Sequence, residues 1–134
     1  MLGEYLVFPI LLSKDLAKTR AFYHDTLGLE IIREDPERII FRCGAGSQVA
    51  VTLSTVGTAD SQTQLAWRVP DLHAALADLR ARGVRIESYQ APDPVTDADG
   101  IADMGYAWAA WIIDPGGNAL SILQVKAPPA AAVS

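Results

Sequence analysis

Trp111-Ile112-Ile113-Asp114-Pro115-Gly116-Gly117-Asn118-Ala119-Leu120-Ser121-Ile122-Leu123-Gln124 is the stretch on which the fold turns. It reads as an apolar strand, a tight turn and a second strand. Pro115 presets its own φ, and Gly116, Gly117 and Asn118 tolerate positive φ, which most other residues avoid. Apolar runs on both sides of the turn make the whole a hairpin.

Upstream of this hairpin the chain repeats itself. Tyr5 to Leu12 is a nearly continuous apolar run, predicted as a buried strand. Pro9 inside it cannot donate to a ladder, which suggests an edge position or a crossing to a partner subunit. Ser13 or Asp15 can cap a helix whose apolar stripe is Leu16, Thr19, Phe22, Tyr23 and Leu27, with Gly28 as its stop. Strands are predicted over Leu29 to Glu34, Arg38 to Cys43 and Gln48 to Ser54, and Thr55 to Thr63 is a linker. The pattern then begins again. Gln64 to Val69 is a strand, Pro70-Asp71-Leu72 starts a helix with Leu72, Ala75, Leu76 and Leu79 on one stripe, and Gly83 stops it. Val84 to Tyr89 is a strand and Gln90 to Met104 a long polar loop. Gly105 to Ile113 and Ala119 to Val125 are the last two strands.

This is β-α-β-β-β twice: repeat 1 over about residues 5–54 and repeat 2 over about 64–125. Each half alone has too few strands to cover its apolar face. The expected class is α+β, a single domain over 1–125 with a curved eight-stranded mixed sheet, helices outside and a central cleft. The Ala- and Pro-rich residues 126–134 are expected to be a flexible tail.

The Asp114-Pro115-Gly116-Gly117-Asn118 turn, taken with the repeat over roughly 5–125, resembles the vicinal-oxygen-chelate superfamily. That group includes glyoxalase-like lyases, extradiol dioxygenases, epimerases and bleomycin-resistance-type binding proteins. The resemblance implies that metal-dependent members set their ligands on the first and last strand of each half. Carried over by register, those positions are Phe8, Thr52, Gln64 and Ser121. In the metalloenzymes a glutamate usually stands where this chain has Ser121. A register slip of one flips a side chain to the other face, but Val7, Pro9, Val51, Leu120 and Ile122 are no better as ligands. A divalent first-row metal wants imidazole, carboxylate or thiolate. A benzyl ring, an amide and two hydroxyls do not supply them. No metal, no cofactor and no catalytic residue is therefore assigned.

The remaining constellations are weaker. His24 and His73 are expected on the solvent side or the helix–sheet boundary, away from the cleft. The loop carrying Asp93, Asp97, Asp99 and Asp103 lacks calcium-loop spacing and reads as a solvated loop or an acidic lid. Trp67, Trp108 and Trp111 fall on strands of the second half. Period two sets Trp108 and Trp111 on opposite faces, so one of them faces the cleft and the other does not. Glu87 is either a surface carboxylate or a lone base. Cys43 has no disulfide partner, and no nucleophile motif or phosphate-binding loop is present.

The formal charge of −5 and the scattered distribution of eleven basic residues argue against nucleic acid as a partner. No apolar run has membrane-spanning length, and Met1 to Tyr5 does not look like a signal peptide. A cytoplasmic location is expected. Among superfamily members, the metal-free bleomycin-resistance type is most similar in character, which implies a homodimer binding a small molecule. The Arg commonly found a few residues before the final Asp-Pro turn is replaced here by Trp108, which counts against bleomycin itself as the ligand. The leading expectation is a binding protein for an aromatic or cationic small molecule, with Phe8, Thr52, Gln64, Trp108, Trp111 and Ser121 lining the cleft. The alternatives are a glyoxalase-like lyase, isomerase or dioxygenase-related enzyme using Gln64 or Glu87, and a non-catalytic accessory subunit.

Overall fold

The structure is a computed structural model that describes residues 1–55, 62–92 and 94–127. Asp93, most of the predicted linker and nearly all of the predicted tail lie outside the described residues. The chain forms two compact units, Met1–Gln64 with Asp114–Asn118 and Leu65–Ile113 with Ala119–Ser134. Among the described residues, eight strands form two four-stranded mixed sheets, neither closed on itself.

The first sheet contains β1 (Ile10–Ser13), β2 (Glu30–Asp35), β3 (Arg38–Arg42) and β4 (Gln48–Leu53), in the order β1-β4-β3-β2. β1 runs parallel to β4, and the other pairs are antiparallel. One face of this sheet buries Leu11, Ile39, Phe41, Val49 and Val51. The helix α1 (Leu16–Arg20) contacts β3 and β4, then continues as a π-helical segment, Ala21–Thr26. Leu27 N–H donates to Phe22 O at 2.9 Å across that wider turn. The Tyr23 ring stacks on Phe41 with centroids 5.1 Å apart. Asp15 is the cap, accepting from Lys18 N–H at 3.0 Å. Ser13 Oγ instead accepts from Asp15 N–H (3.1 Å) and the Thr19 hydroxyl (2.8 Å).

The N-terminal run departs from expectation. Only Ile10–Ser13 is strand, Leu2–Glu4 is a single 3-10 turn, and Leu6 and Val7 are 93% and 91% exposed. The strand starts just past Pro9, which has no N–H to offer. Its carbonyl still accepts from Ala50 N–H at 3.1 Å. Apolar composition alone predicts burial, but nothing among the described residues covers residues 5–8.

The second sheet contains β5 (Thr63–Arg68), β6 (Ala102–Asp103), β7 (Ala107–Ile113) and β8 (Ala119–Val125), in the order β5-β8-β7-β6. The helix α2 (Leu72–Ala81) buries Leu72 and Leu76 and is capped by Asp71, which accepts from Ala74 N–H at 3.1 Å. Gly28 and Gly83, with φ of +79° and +81°, end the two helical segments in the left-handed region, where a side chain would be strained. The predicted strand Val84 to Tyr89 is not a strand. That segment joins β7 through Glu87 N–H and Trp111 O (2.9 Å) without a continuous ladder. Further along β7 the ladder is made by β6, drawn from the predicted polar loop, with Ala102 opposite Ala109 and Asp103 opposite Trp108. Among the described residues no helix is long and apolar enough to cross a membrane.

The turn between β7 and β8 is held by a buried carboxylate. Asp114 Oδ1 accepts from Gly116 N–H (2.9 Å) and Asn118 N–H (2.7 Å), and Oδ2 accepts from the Tyr23 hydroxyl (2.6 Å). Asn118 Nδ2 donates to Asp114 Oδ2 (2.9 Å) and to Leu12 O (2.9 Å). A Cβ on Gly116 would sit 2.5 Å from Leu12 O and 3.2 Å from Ser13 Cα, so glycine is required by close approach. This residue pattern therefore serves packing: a charge taken out of water is stable only when hydrogen bonds replace the lost solvent.

Candidate functional site

In the second unit, register decides which tryptophan shares a face with Ser121. Trp111 lies directly opposite Ser121, and Trp108 opposite Gln124. Side chains alternate across a strand, so Trp111 and Ser121 occupy one face and Trp108 the other. The Trp111 ring meets Tyr89 edge-on at 5.5 Å and packs with Ala102, Ala109 and Leu123. Trp111 is 7% exposed and Ser121 4%, so both are buried. Tyr89 was not among the residues singled out by sequence, because its segment reads as a strand end with no marker of a site.

On the opposite face Trp108 is 38% exposed and lines an open cavity of about 500 Å³. Pro70 and Ile101 add apolar wall, while Asp71, His73, Asp97 and Gln124 add polar groups. Lys126 Nζ stands 5.1 Å from the centroid of the Trp108 ring and is bonded to Asp103 at 2.7 Å. That bond is the main reason the Asp103 carboxyl is held below its ordinary range. The Asp97 carboxyl is also held low, first by the N–H of Ile101 and then by that of Asp99, each at 2.9 Å. Asp97 to Ile101 of the acidic loop is thus a hydrogen-bonded turn; Arg80 Nη2 also donates to Asp99 O at 2.5 Å. His73 is exposed in the first turn of α2, and His24 is half-buried with Nδ1 2.7 Å from Leu29 O.

In the first unit Thr52 is half-buried on β4, in register with Leu12 on one side and Arg38 on the other. It shares its face with Ile10, Leu12, Ile40 and Ala50, opposite the face covered by α1. Ile10 is 60% and Leu12 39% exposed, and Phe8, two residues before Ile10, is 47% exposed. Arg38 on this face went unnoticed in the sequence, although strand parity with Ile40 marks it. Gln64 is half-buried on β5, its Nε2 3.5 Å from Gln62 O. Phe8, Thr52 and Gln64 thus belong to one unit and Trp108, Trp111 and Ser121 to the other, and only Trp111 and Ser121 are brought together as direct neighbours.

The donor set does not fit a divalent cation. Phe8 has no donor atom, Thr52 and Ser121 offer neutral hydroxyls, and Gln64 offers one amide oxygen. Among the described residues no three His, Cys, Asp or Glu side chains gather in a ligating group. Glu87 is paired with Arg85 at 3.5 Å, which places its charge in an ion pair.

A family model described as the Glyoxalase/Bleomycin resistance protein/Dioxygenase superfamily matches residues 5–122. Among solved structures, a glyoxalase/bleomycin resistance protein/dioxygenase from Alicyclobacillus acidocaldarius is similar with a TM-score of 0.71 and 17% identity, covering 92% of each chain. A bleomycin resistance determinant encoded on the transposon Tn5 gives a TM-score of 0.69 at 21% identity, covering 92% of this chain and 99% of the other. TnmS3, an antibiotic binding protein from Streptomyces sp. CB03234, gives 0.68 at 20% identity, covering 91% and 96%. None of the curated proteins matches the sequence.

Proposed function

The chain belongs to the glyoxalase/bleomycin resistance protein/dioxygenase superfamily, and from that premise we propose that it is a metal-free protein that binds and sequesters an aromatic or cationic small molecule in the cytoplasm. The observation that carries this reading is the chemistry at the four positions that register sets against the ligand positions of metal-dependent members: Phe8, Thr52, Gln64 and Ser121. An antibiotic binding protein and a bleomycin resistance determinant among the similar structures support binding over bond-breaking. Sequestration needs apolar area and a few polar anchors, and no transferred proton or electron.

The first unit offers a surface of that kind, where Phe8, Ile10 and Leu12 stand exposed and Leu12 lies in register with Thr52. In the second, Trp111 and Ser121 stand side by side but buried. The uncovered apolar residues Tyr5 to Phe8 support a homodimer in which a second copy covers them.

Metal analysis of the purified protein tests the central point. Less than a trace of Zn, Fe, Ni or Mn per chain is expected, together with a rise in melting temperature when a planar antibiotic is added, because a ligand that binds only the folded state stabilises it. One equivalent of any of these metals, lost on substituting Gln64, would end the metal-free reading.

A further inference from the structure

We propose that the cavity beside Trp108 is a second ligand site, one that takes a small organic cation with a flat or apolar body. It lies wholly in the second unit, on the face of β7 opposite Trp111 and Ser121, and stands independently of the function proposed above. Its volume of about 500 Å³ falls within the roughly 300–1,000 Å³ typical of small-molecule sites.

The polarity of the cavity selects the charge. Asp71 and Asp97 both line it, and neither is ion-paired among the described residues. Asp97 stays ionised well into acid because the N–H groups of Ile101 and Asp99 stabilise its anion. The start of α2 does not call for an anion, because that end is already served from within. Leu72 N–H donates to Gln124 Oε1 (2.8 Å) and Ala74 N–H to Asp71 Oδ1 (3.1 Å). Lys126, 5.1 Å from the ring centroid, is ion-paired with Asp103. His73 is the remaining basic group in the wall, set against two carboxylates.

The aromatic wall selects the shape. The half-exposed Trp108 indole gives a face on which a planar or alkyl cation gains both apolar contact and attraction to the π electrons. Lys126 already uses this ring in that way, 5.1 Å from its centroid. Pro70 and Ile101 supply the dry part of the wall for an uncharged body.

The test uses benzamidinium as the probe and benzamide, its uncharged isostere, as the control, each titrated calorimetrically into the full-length protein. Benzamidinium is expected to bind at least about tenfold more tightly than benzamide. Trp108→Ala, and the double variant Asp71→Asn with Asp97→Asn, are each expected to weaken it by about tenfold or more. The Asn variants keep the oxygens that accept from Ala74, Asp99 and Ile101, so the fold is retained, and a thermal melt verifies it. Trp111→Phe, on the other face, is expected to leave affinity unchanged. Equal binding of benzamide, no binding of benzamidinium at millimolar concentration, or undiminished binding by the folded Asn double variant would each overturn the assignment.

Discussion

The hydroxyl of Tyr23, on the first helical segment, donates to the carboxylate of Asp114 at 2.6 Å across 91 positions of sequence. Both residues are buried. Burial first, and then the negative charge of Asp114, push the phenol far above its ordinary range, so the folded chain keeps a proton that the unfolded chain gives up in alkali. With the folded value raised, this contribution is complete below the ordinary tyrosine value of about 10 and is lost as pH rises beyond it. Tyr23→Phe is expected to cost about 1–3 kcal/mol in urea unfolding at neutral pH, because the buried carboxylate loses one donor. The wild type is also expected to lose stability above about pH 10 more steeply than the variant does.

Gly116→Ala is expected to destabilise the fold by about 1–3 kcal/mol, since the added methyl meets backbone atoms that cannot rotate away. The obstruction is Leu12 O at 2.5 Å. Equal midpoints for variant and wild type in urea would mean that the turn opens freely.

The two tryptophans of β7 are expected to respond differently to truncation. Trp111→Ala removes a buried ring from contact with Tyr89 and Leu123 and is expected to cost about 3–5 kcal/mol. Trp108→Ala, at a half-exposed position, is expected to cost no more than about 1 kcal/mol. Chemical denaturation of both variants under one set of conditions measures the difference.

Acid should reveal the role of Asp97. Its carboxyl is lowered chiefly by the Ile101 N–H, so its contribution is present above the ordinary aspartate value of about 4 and fades as pH falls through the lowered one. Asp97→Asn is therefore expected to melt below the wild type at neutral pH and to converge with it in acid. A gap independent of pH would show that charge is not what holds the turn.

Much of this was legible from local chemistry. Asp15 and Asp71 cap equivalent helices, and Ala119–Val125 is the strand its composition announces, because capping and alternation are decided within a few residues. The parity of Trp108 and Trp111 was legible too, but not which of them would meet Ser121, since register comes from pairing with β8. Val84 to Tyr89 misled because apolar alternation does not reveal which partners the folded chain supplies; the segment meets β7 at Trp111 without a ladder, and Ala102 and Asp103 pair with Ala109 and Trp108 instead. The Trp108 cavity was hidden for the same reason. Its walls come from Pro70, Asp97 and Gln124, which only the folded chain brings near one another.

The residues that complete the first compact unit lie near the far end of the chain. A peptide ending at Gln64 would contain Tyr23 and the Leu12 carbonyl but lack Asp114 and Asn118, the groups that answer them. The leading repeat is therefore not a portable module. Any half-length version, whether made by a laboratory or by an ancestral gene, would need those contacts from another copy or from an added peptide before it could adopt the same packing.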